Sequence, residues 1–319
     1  MKKIGILTSG GDGPGMNAAI RSVVRYSLHY GIEVSGIMRG YQGLLEEDII
    51  PMGHRSVSNI INRGGTILKT ARSKEFGTDE GKAKAAAIIH KHNIDALIVI
   101  GGDGSYQGST RLYEKFGIPT IGLPGTIDND LNGTDQTIGC STAINTALES
   151  IDKIRDTAQS MERVFVIEVM GNKSGYIAME VALAAGAEDV IIPERQFNYE
   201  AMHQEILDGN KRGKISYIII VAEGAAMAPI VAENITRYTG VETRYVVLGH
   251  VQRGGTPSGQ DRILSTRLGA AAVDLILNGY FGKAVGVLED EINVIDLKDA
   301  SRRIHADMDR RYELLKILT

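Results

Sequence analysis

Two carboxylates and a hydroxyl fall within the heptapeptide Pro124-Gly125-Thr126-Ile127-Asp128-Asn129-Asp130, directly after the apolar stretch Ile118 to Leu123. A short buried strand would emit these as its first loop residues, which is where open α/β sheets hold their ligands. Asp128 and Asp130 are two positions apart, so extended backbone would put them on one face. One would act as base and the other would support a metal ion. Two more apolar runs end alike. Ile94 to Ile100 leads into Gly101-Gly102-Asp103-Gly104-Ser105, and Lys3 to Leu7 into Thr8-Ser9-Gly10-Gly11-Asp12-Gly13-Pro14-Gly15. Any one of these reads equally as a tight strand-to-helix turn; three together point to phosphate and magnesium chemistry.

Glycines at 10, 11, 13 and 15 let backbone approach a polyphosphate, and a helix from Met16 would turn its unpaired N–H groups and positive dipole end toward it. The pattern is neither G-x-G-x-x-G nor G-x-x-x-x-G-K-[ST], and the nearest look-alike, Gly171-Asn172-Lys173-Ser174, lacks the earlier glycine. A P-loop ATPase and an ordinary Rossmann dehydrogenase are disfavoured. Asp103 at a strand end suits Mg²⁺; its plainer role would be to cap the next helix. Lys69-Thr70-Ala71-Arg72-Ser73 puts a guanidinium after a glycine turn, as a phosphate brace or a solvated surface group. Gly249-His250-Val251-Gln252-Arg253-Gly254-Gly255-Thr256 brings His250 and Arg253 out of a strand beside paired glycines, the pattern of an anion pocket. Arg163 and Arg244 are weaker candidates on local grounds.

These loops need a scaffold. Apolar runs of four to eight residues alternate with segments of helical period, the pattern of a parallel sheet covered by helices. Strands are expected at Lys3–Leu7, Glu33–Met38, Ala96–Ile100, Thr120–Leu123, Val164–Val169, Val190–Ile192, Tyr217–Ala222, Tyr245–Leu248 and Ala284–Leu288. Helices are expected at Met16–His29, Gly81–His92, Thr142–Gln159, Gly175–Ala184, Tyr199–Lys211 and Arg262–Leu277, with an amphipathic C-terminal one from Ser301 to Ile317. So many core strands favour two α/β lobes that share crossing segments, the first crossing near Cys140.

The bulk numbers agree with this. A chain of 319 residues, 43% hydrophobic and 23% charged, has length for about two domains. A net charge of −4 leaves no basic footprint for nucleic acid. The single cysteine, Cys140, excludes an intrachain disulfide and a cysteine-based zinc cluster, which fits a cytoplasmic protein. The apolar run Ile4 to Leu7 is too short for a signal peptide, and no stretch is long enough to span a bilayer.

Six segments in order, Thr8–Asn17, Asn62–Thr66, Gly101–Ser105, Pro124–Asp130, Asp152–Thr157 and Gly249–Thr256, resemble the bacterial ATP-dependent 6-phosphofructokinases, and the likeness runs essentially full length. The resemblance implies two doubly wound α/β/α lobes with the active site in their cleft. It gives a larger ATP-binding lobe, 1–140 plus about 253–301, and a smaller sugar-phosphate-binding lobe, 141–252 plus about 302–319. It implies transfer of the ATP γ-phosphoryl group to the C1 hydroxyl of fructose 6-phosphate. Asp128 would be the base, Thr126 and Asp130 would position sugar and metal, and Asp103, with Asp130, would serve Mg²⁺. Gly11, Arg72, Ser73, Gly102, Asp103, Gly104, Ser105 and Gly108 would form the ATP phosphate site, with Tyr41 flanking adenine and Arg72 also acting in catalysis. Met170, Gly171, Asn172, Glu223, His250 and Arg253 would line the sugar pocket. Arg163 and Arg244 would reach the 6-phosphate across an interface of a homotetramer. Glycine at 104 and 125, where pyrophosphate-using members carry aspartate and lysine, favours ATP.

The chain departs from the family at several places. Asn172 replaces an arginine that neutralises the transferring phosphoryl group, with Lys173 adjacent, and Gly77 replaces a commonly basic residue. The regulatory pocket for ADP and phosphoenolpyruvate is matched by Arg21, Arg25, Arg155, Glu188, Arg212 and Lys214. His54 stands there for an arginine and Ser216 for a histidine; Arg21 and Arg25 lie one helical turn apart on one face, as a shared anion site requires, the plainer alternative being a solvated helix face. The alternatives are a phosphofructokinase with another donor or sugar phosphate, and a non-catalytic metabolite-sensing subunit.

Overall fold

The computed structural model describes residues 1–301 and 308–319. Its strands are β1 (Lys3–Thr8), β2 (Glu33–Ile37), β3 (Ile49–Met52), β4 (Ala96–Gly101), β5 (Thr120–Pro124) and β6 (Val164–Val169). They continue with β7 (Asp189–Ile191), β8 (Tyr217–Ala222), β9 (Thr243–Val247), β10 (Lys283–Leu288) and β11 (Glu291–Asp296). The helices are α1 (Met16–His29), α2 (Gly40–Leu45), α3 (Asp79–Lys91), α4 (Asp103–Phe116), α5 (Cys140–Met161) and α6 (Tyr176–Ala185). After them come α7 (Tyr199–Lys211), α8 (Ala228–Thr239), α9 (Gly259–Leu277), α10 (Leu297–Ala300) and α11 (Asp309–Leu318). The chain divides into two compact units, Met1–Thr142 with Arg253–Ile304, and Ala143–Gln252 with His305–Thr319.

The first unit holds a seven-stranded sheet in the order β11-β10-β5-β4-β1-β2-β3. Its strands alternate sides with period two. Ile4 and Ile6 of β1 and Ala96, Ile98 and Ile100 of β4 join one buried cluster, with Ile20 and Val23 of α1 and Leu264 and Leu268 of α9. Leu7, Leu97 and Val99 face the other side, with Leu44 of α2, Ile88 of α3 and Leu112 of α4. Helices therefore cover both faces, as in a doubly wound sheet. The edges differ from a purely parallel expectation: β3 runs antiparallel to β2, and β11 to β10. Both were absent from the sequence reading. Ile49–Met52 is a short strand interrupted by Pro51, and Glu291–Asp296 has an exposed, charged rim that carries little apolar signal.

The second unit has four parallel strands in the order β7-β8-β6-β9. One face packs Val164, Val166, Ile219 and Val221 against Met202 and Ile206 of α7 and Val231 and Ile235 of α8. α8, unforeseen from sequence, begins with a proline in its first turn and ends at Gly240 in the left-handed region. The expected C-terminal helix is present from Asp309; the part of that expectation on 302–307 lies outside the described residues.

Candidate active site

The order β5-β4-β1 makes the three glycine- and aspartate-bearing strand ends immediate neighbours. Gly101 pairs with Pro124 across β4 and β5, and Ser9 N–H donates to the Ile100 carbonyl at 2.9 Å. A Cβ built on Gly102 would stand 3.4 Å from Thr126 Cβ. Three loops far apart in sequence thus meet at one edge of one sheet.

In the first loop, Gly15 caps α1 at φ 109° with no side-chain hydrogen bond, and the first turn carries no acidic residue. The leading N–H groups are turned inward instead: Met16 N–H donates to the Gly13 carbonyl at 3.3 Å and Ala18 N–H to the Gly15 carbonyl at 2.9 Å, and this first turn is buried. Gly11 is exposed, and the Arg253 guanidinium lies against it, donating from Nη1 to the Asp12 carbonyl at 3.2 Å.

In the second loop, Gly102 occupies the cap position of α4, so Asp103 is its first helical residue rather than its cap. Asp103 Oδ1 accepts from Gln107 Nε2 at 3.0 Å and the residue is half-buried. Gly104 faces open space, with nothing within 4 Å of where a Cβ would be. Ser105 is buried. Gly108 answers to packing: a Cβ there would meet Phe76 Cε1 at 2.8 Å and Tyr41 Cε2 at 3.3 Å. Tyr41 itself is 5% exposed, stacked on Phe76 at 3.8 Å between centroids, and donates to the Ser105 carbonyl at 2.8 Å. Burial pushes its phenol well above the usual range. One face of that ring is taken by Phe76, which the sequence reading had left open to adenine.

In the third loop, Thr126 Oγ1 accepts the Asp128 N–H at 3.2 Å. Asn129 adopts φ 50°, so the backbone turns between the two aspartates. This corrects the extended-strand argument: Asp128 is half-buried and Asp130 is 5% exposed, because a left-handed residue separates them. Asn129 fixes the turn, donating to the Asp135 carbonyl at 3.0 Å and accepting from Thr137 N–H at 2.8 Å. Gly125 is also dictated by packing, since a Cβ would stand 2.7 Å from Ile100 Cγ2 and 3.0 Å from Met16 Cε. Of the two glycines read as donor-selecting, only Gly104 has room for a side chain.

Arg72 is exposed and forms no hydrogen bond or ion pair among the described residues, while Ser73 Oγ accepts the Phe76 N–H at 3.1 Å. Sequence reasoning missed Asp261, 1% exposed in α9. It accepts from Gly139 N–H and Thr142 N–H, each at 2.8 Å, and from the Thr142 hydroxyl. Burial holds its carboxyl above the ordinary range against these donors. A lone aspartate in a helical pattern gives no signal of this.

The second unit gathers Met170, Gly171, Asn172 and Glu223 at the finishing ends of β6 and β8, with His250 following β9. Glu223 Oε1 accepts from Gly171 N–H at 3.2 Å and Asn172 N–H at 2.8 Å. Gln252, fully buried and also missed, accepts the Met170 N–H at 2.8 Å. Arg163 and Arg244 lie at the starting ends of β6 and β9, both held by Glu242, at 2.8 Å and 2.5 Å. Seven residues from Arg163 to Met170 at about 3.3 Å each put roughly 20 Å between the two ends of β6. Within one chain these arginines do not join the Met170 and His250 loops.

Of the regulatory candidates, Arg21, Arg25 and His54 belong to the first unit, and Arg21 and Arg25 are half-buried on α1. Arg155 donates to the Ala185 and Gly186 carbonyls at the end of α6. Glu188, Arg212 and Lys214 line a cavity of about 270 Å³, and Glu188 pairs with Lys214 at 3.1 Å. Among the described residues, no group of three or more His, Cys, Asp or Glu is placed to hold a metal, and no helix is long and apolar enough to cross a membrane.

The phosphofructokinase family matches residues 3–276. The ATP-dependent 6-phosphofructokinase 1 of Thermus thermophilus is 54% identical over 306 residues, 95% of each chain. The ATP-dependent 6-phosphofructokinase of Clostridium tetani is 52% identical over 320 residues, 100% of each. Among solved structures, phosphofructokinase from Saccharomyces cerevisiae is similar at TM-score 0.87 and 37% identity, over 94% of this chain and 45% of the yeast one, so this chain spans less than half of that length. By the span of the family match and this identity along nearly its whole length, the chain belongs to the phosphofructokinase family.

Proposed function

We infer that this chain is an ATP-dependent 6-phosphofructokinase of glycolysis, transferring the ATP γ-phosphoryl group to the C1 hydroxyl of fructose 6-phosphate. The relatives' names support that activity over another donor or a non-catalytic role. The structural observation that carries it is the adjacency of the β5, β4 and β1 ends, which places an aspartate loop beside two glycine-rich ones.

Phosphoryl transfer asks the protein mainly for alignment and charge neutralisation. In this reading Asp128 takes the C1 hydroxyl proton, its backbone held by Thr126. Gly11, Gly102, Gly104 and Ser105 frame the triphosphate, with Arg72 and Ser73 following the Gly64-Gly65 turn, and Gly108 and Tyr41 packed behind. Magnesium typically keeps several waters and takes one or two carboxylates plus phosphate oxygens, so a larger acidic cluster is not required. Asp103, half-buried beside the open space at Gly104, suits such an ion; buried Asp130 would act on it through water. When bound, the ion would neutralise the phosphate oxygens. Met170, Gly171, Asn172, Glu223, His250 and Arg253 serve the sugar phosphate.

The separation of Arg163 and Arg244 from those loops along β6 and β9 supports a homo-oligomer, a tetramer by the family resemblance, in which these arginines complete a neighbour's site. The cavity at Glu188, Arg212 and Lys214 supports an effector site for ADP or phosphoenolpyruvate. Arg155 is already engaged with helix-end carbonyls, which argues for a weak one. A cytoplasmic location goes with these substrates.

A coupled assay with fructose 6-phosphate and MgATP tests the reading. Turnover is expected with ATP and not with pyrophosphate, and with fructose 6-phosphate in preference to tagatose 6-phosphate. No turnover with any pair would overturn it.

A further inference from the structure

We propose that Arg253 belongs to the phosphoryl-donor site and, together with Arg72, neutralises the transferring phosphoryl group in this chain. The proposal rests on the function inferred above. Arg253 closes the 3₁₀ turn Gly249–Arg253 that also carries His250. Its guanidinium, however, lies over the glycine loop before α1. A Cβ on Gly11 would stand 2.7 Å from Arg253 Cζ and 3.0 Å from Nη2, so the guanidinium occupies the space where a side chain at 11 would begin.

The electrostatics of this position call for an anion. Among the described residues Arg253 forms no ion pair and spends one donor, Nη1, on the Asp12 carbonyl. A guanidinium has five N–H donors. It lies against the exposed Gly11, in the glycine loop that leads from β1 to α1. A guanidinium with donors to spare and no ion-pair partner suits a bound phosphate, whose oxygens its donors match in pairs.

The loop that presents Arg253 is fixed from behind. Arg63-Gly64-Gly65-Thr66 and Arg253-Gly254-Gly255-Thr256 are the same four residues, with the second glycine at φ 64° and 91° respectively. They pack against each other: a Cβ on Gly64 would stand 3.2 Å from Gly255 N. Gly65 in turn faces Asp12, whose Oδ2 would be 3.5 Å from a Cβ there. Two stretches of one sequence thus flank the Asp12 loop, and one of them delivers an arginine onto it.

The test is equilibrium binding of Mg·AMP-PNP and of MgADP, without sugar phosphate, to the parent and to Arg253→Ala and Arg253→Lys. Loss of a hydrogen bond to a charged group predicts that Arg253→Ala weakens AMP-PNP about ten- to a hundredfold, and leaves ADP, which lacks the γ-phosphate, within about threefold. Arg253→Lys keeps the charge without the fork and is expected to fall between; it carries the comparison if the alanine variant does not fold. Unchanged AMP-PNP binding with weakened fructose 6-phosphate binding would overturn the proposal, as would equal loss of AMP-PNP and ADP. If the parent turns over and binds AMP-PNP while the variants bind like it, only the Arg253 assignment fails. A parent without turnover removes the functional reading instead.

Discussion

Asn172 holds a left-handed backbone at φ 54° while its N–H donates to Glu223 Oε1 at 2.8 Å. Asparagine tolerates that conformation better than arginine does. A Cβ on the next glycine of β8's exit, Gly224, would collide with the Asn172 carbonyl, so the turn is held on both sides. Asparagine at 172 thus suits the local backbone.

Asn172→Arg is expected to raise kcat by less than about tenfold, since a positioned cation acts on transition-state charge that Arg253 already meets. The left-handed site should cost about 1 kcal/mol of stability. Steady-state kinetics with urea unfolding separates the two. Lys173→Ala belongs in the same series: a loss that Asn172→Arg rescues would place the charge at 173, and no change in either variant would remove this loop from the phosphoryl group.

Asp128→Asn should lower kcat by roughly 10²–10⁴ and leave ATP and sugar-phosphate binding nearly intact, the range for a lost general base. A kcat within a few-fold of the parent would take Asp128 out of the mechanism.

Gly104→Asp should fold normally, because a side chain there enters open space, and should lose ATP use through repulsion of the triphosphate. Undiminished turnover with ATP would mean that glycine at 104 does not select the donor.

Arg244→Ala should raise KM for the sugar phosphate far more than KM for ATP, since the contact is with an anion present in ground and transition states alike. Mixing it with Asp128→Asn under conditions of subunit exchange should restore activity if Arg244 serves a neighbour's site. Proven exchange without recovery would argue for sites built within one chain.

Asp261→Asn should destabilise by about 2 kcal/mol, because its amide would face N–H donors of Gly139 and Thr142 that now have an acceptor. Urea unfolding checks this. Stability equal to the parent would show that the 139–142 turn does not depend on that carboxylate.

Much of this protein is written locally. Strand ends at Thr8, Gly101 and Pro124, with glycines and aspartates following, are legible because a buried strand is a short apolar run and a phosphate loop needs backbone without side chains. Other relationships arise only on folding. β5, β4 and β1 become neighbours through pairing of segments dozens of residues apart. Gly125 is glycine because Ile100 and Met16 press on it, Tyr41 gives a ring face to Phe76, and Arg253 reaches Asp12 across 241 positions. The antiparallel edges β3 and β11 are set by their partners, because an exposed edge strand buries too little to show in its own pattern. Residue type and spacing decide what chemistry a loop can offer; packing between distant segments decides which loops meet, and whether a given glycine serves the ligand or the core.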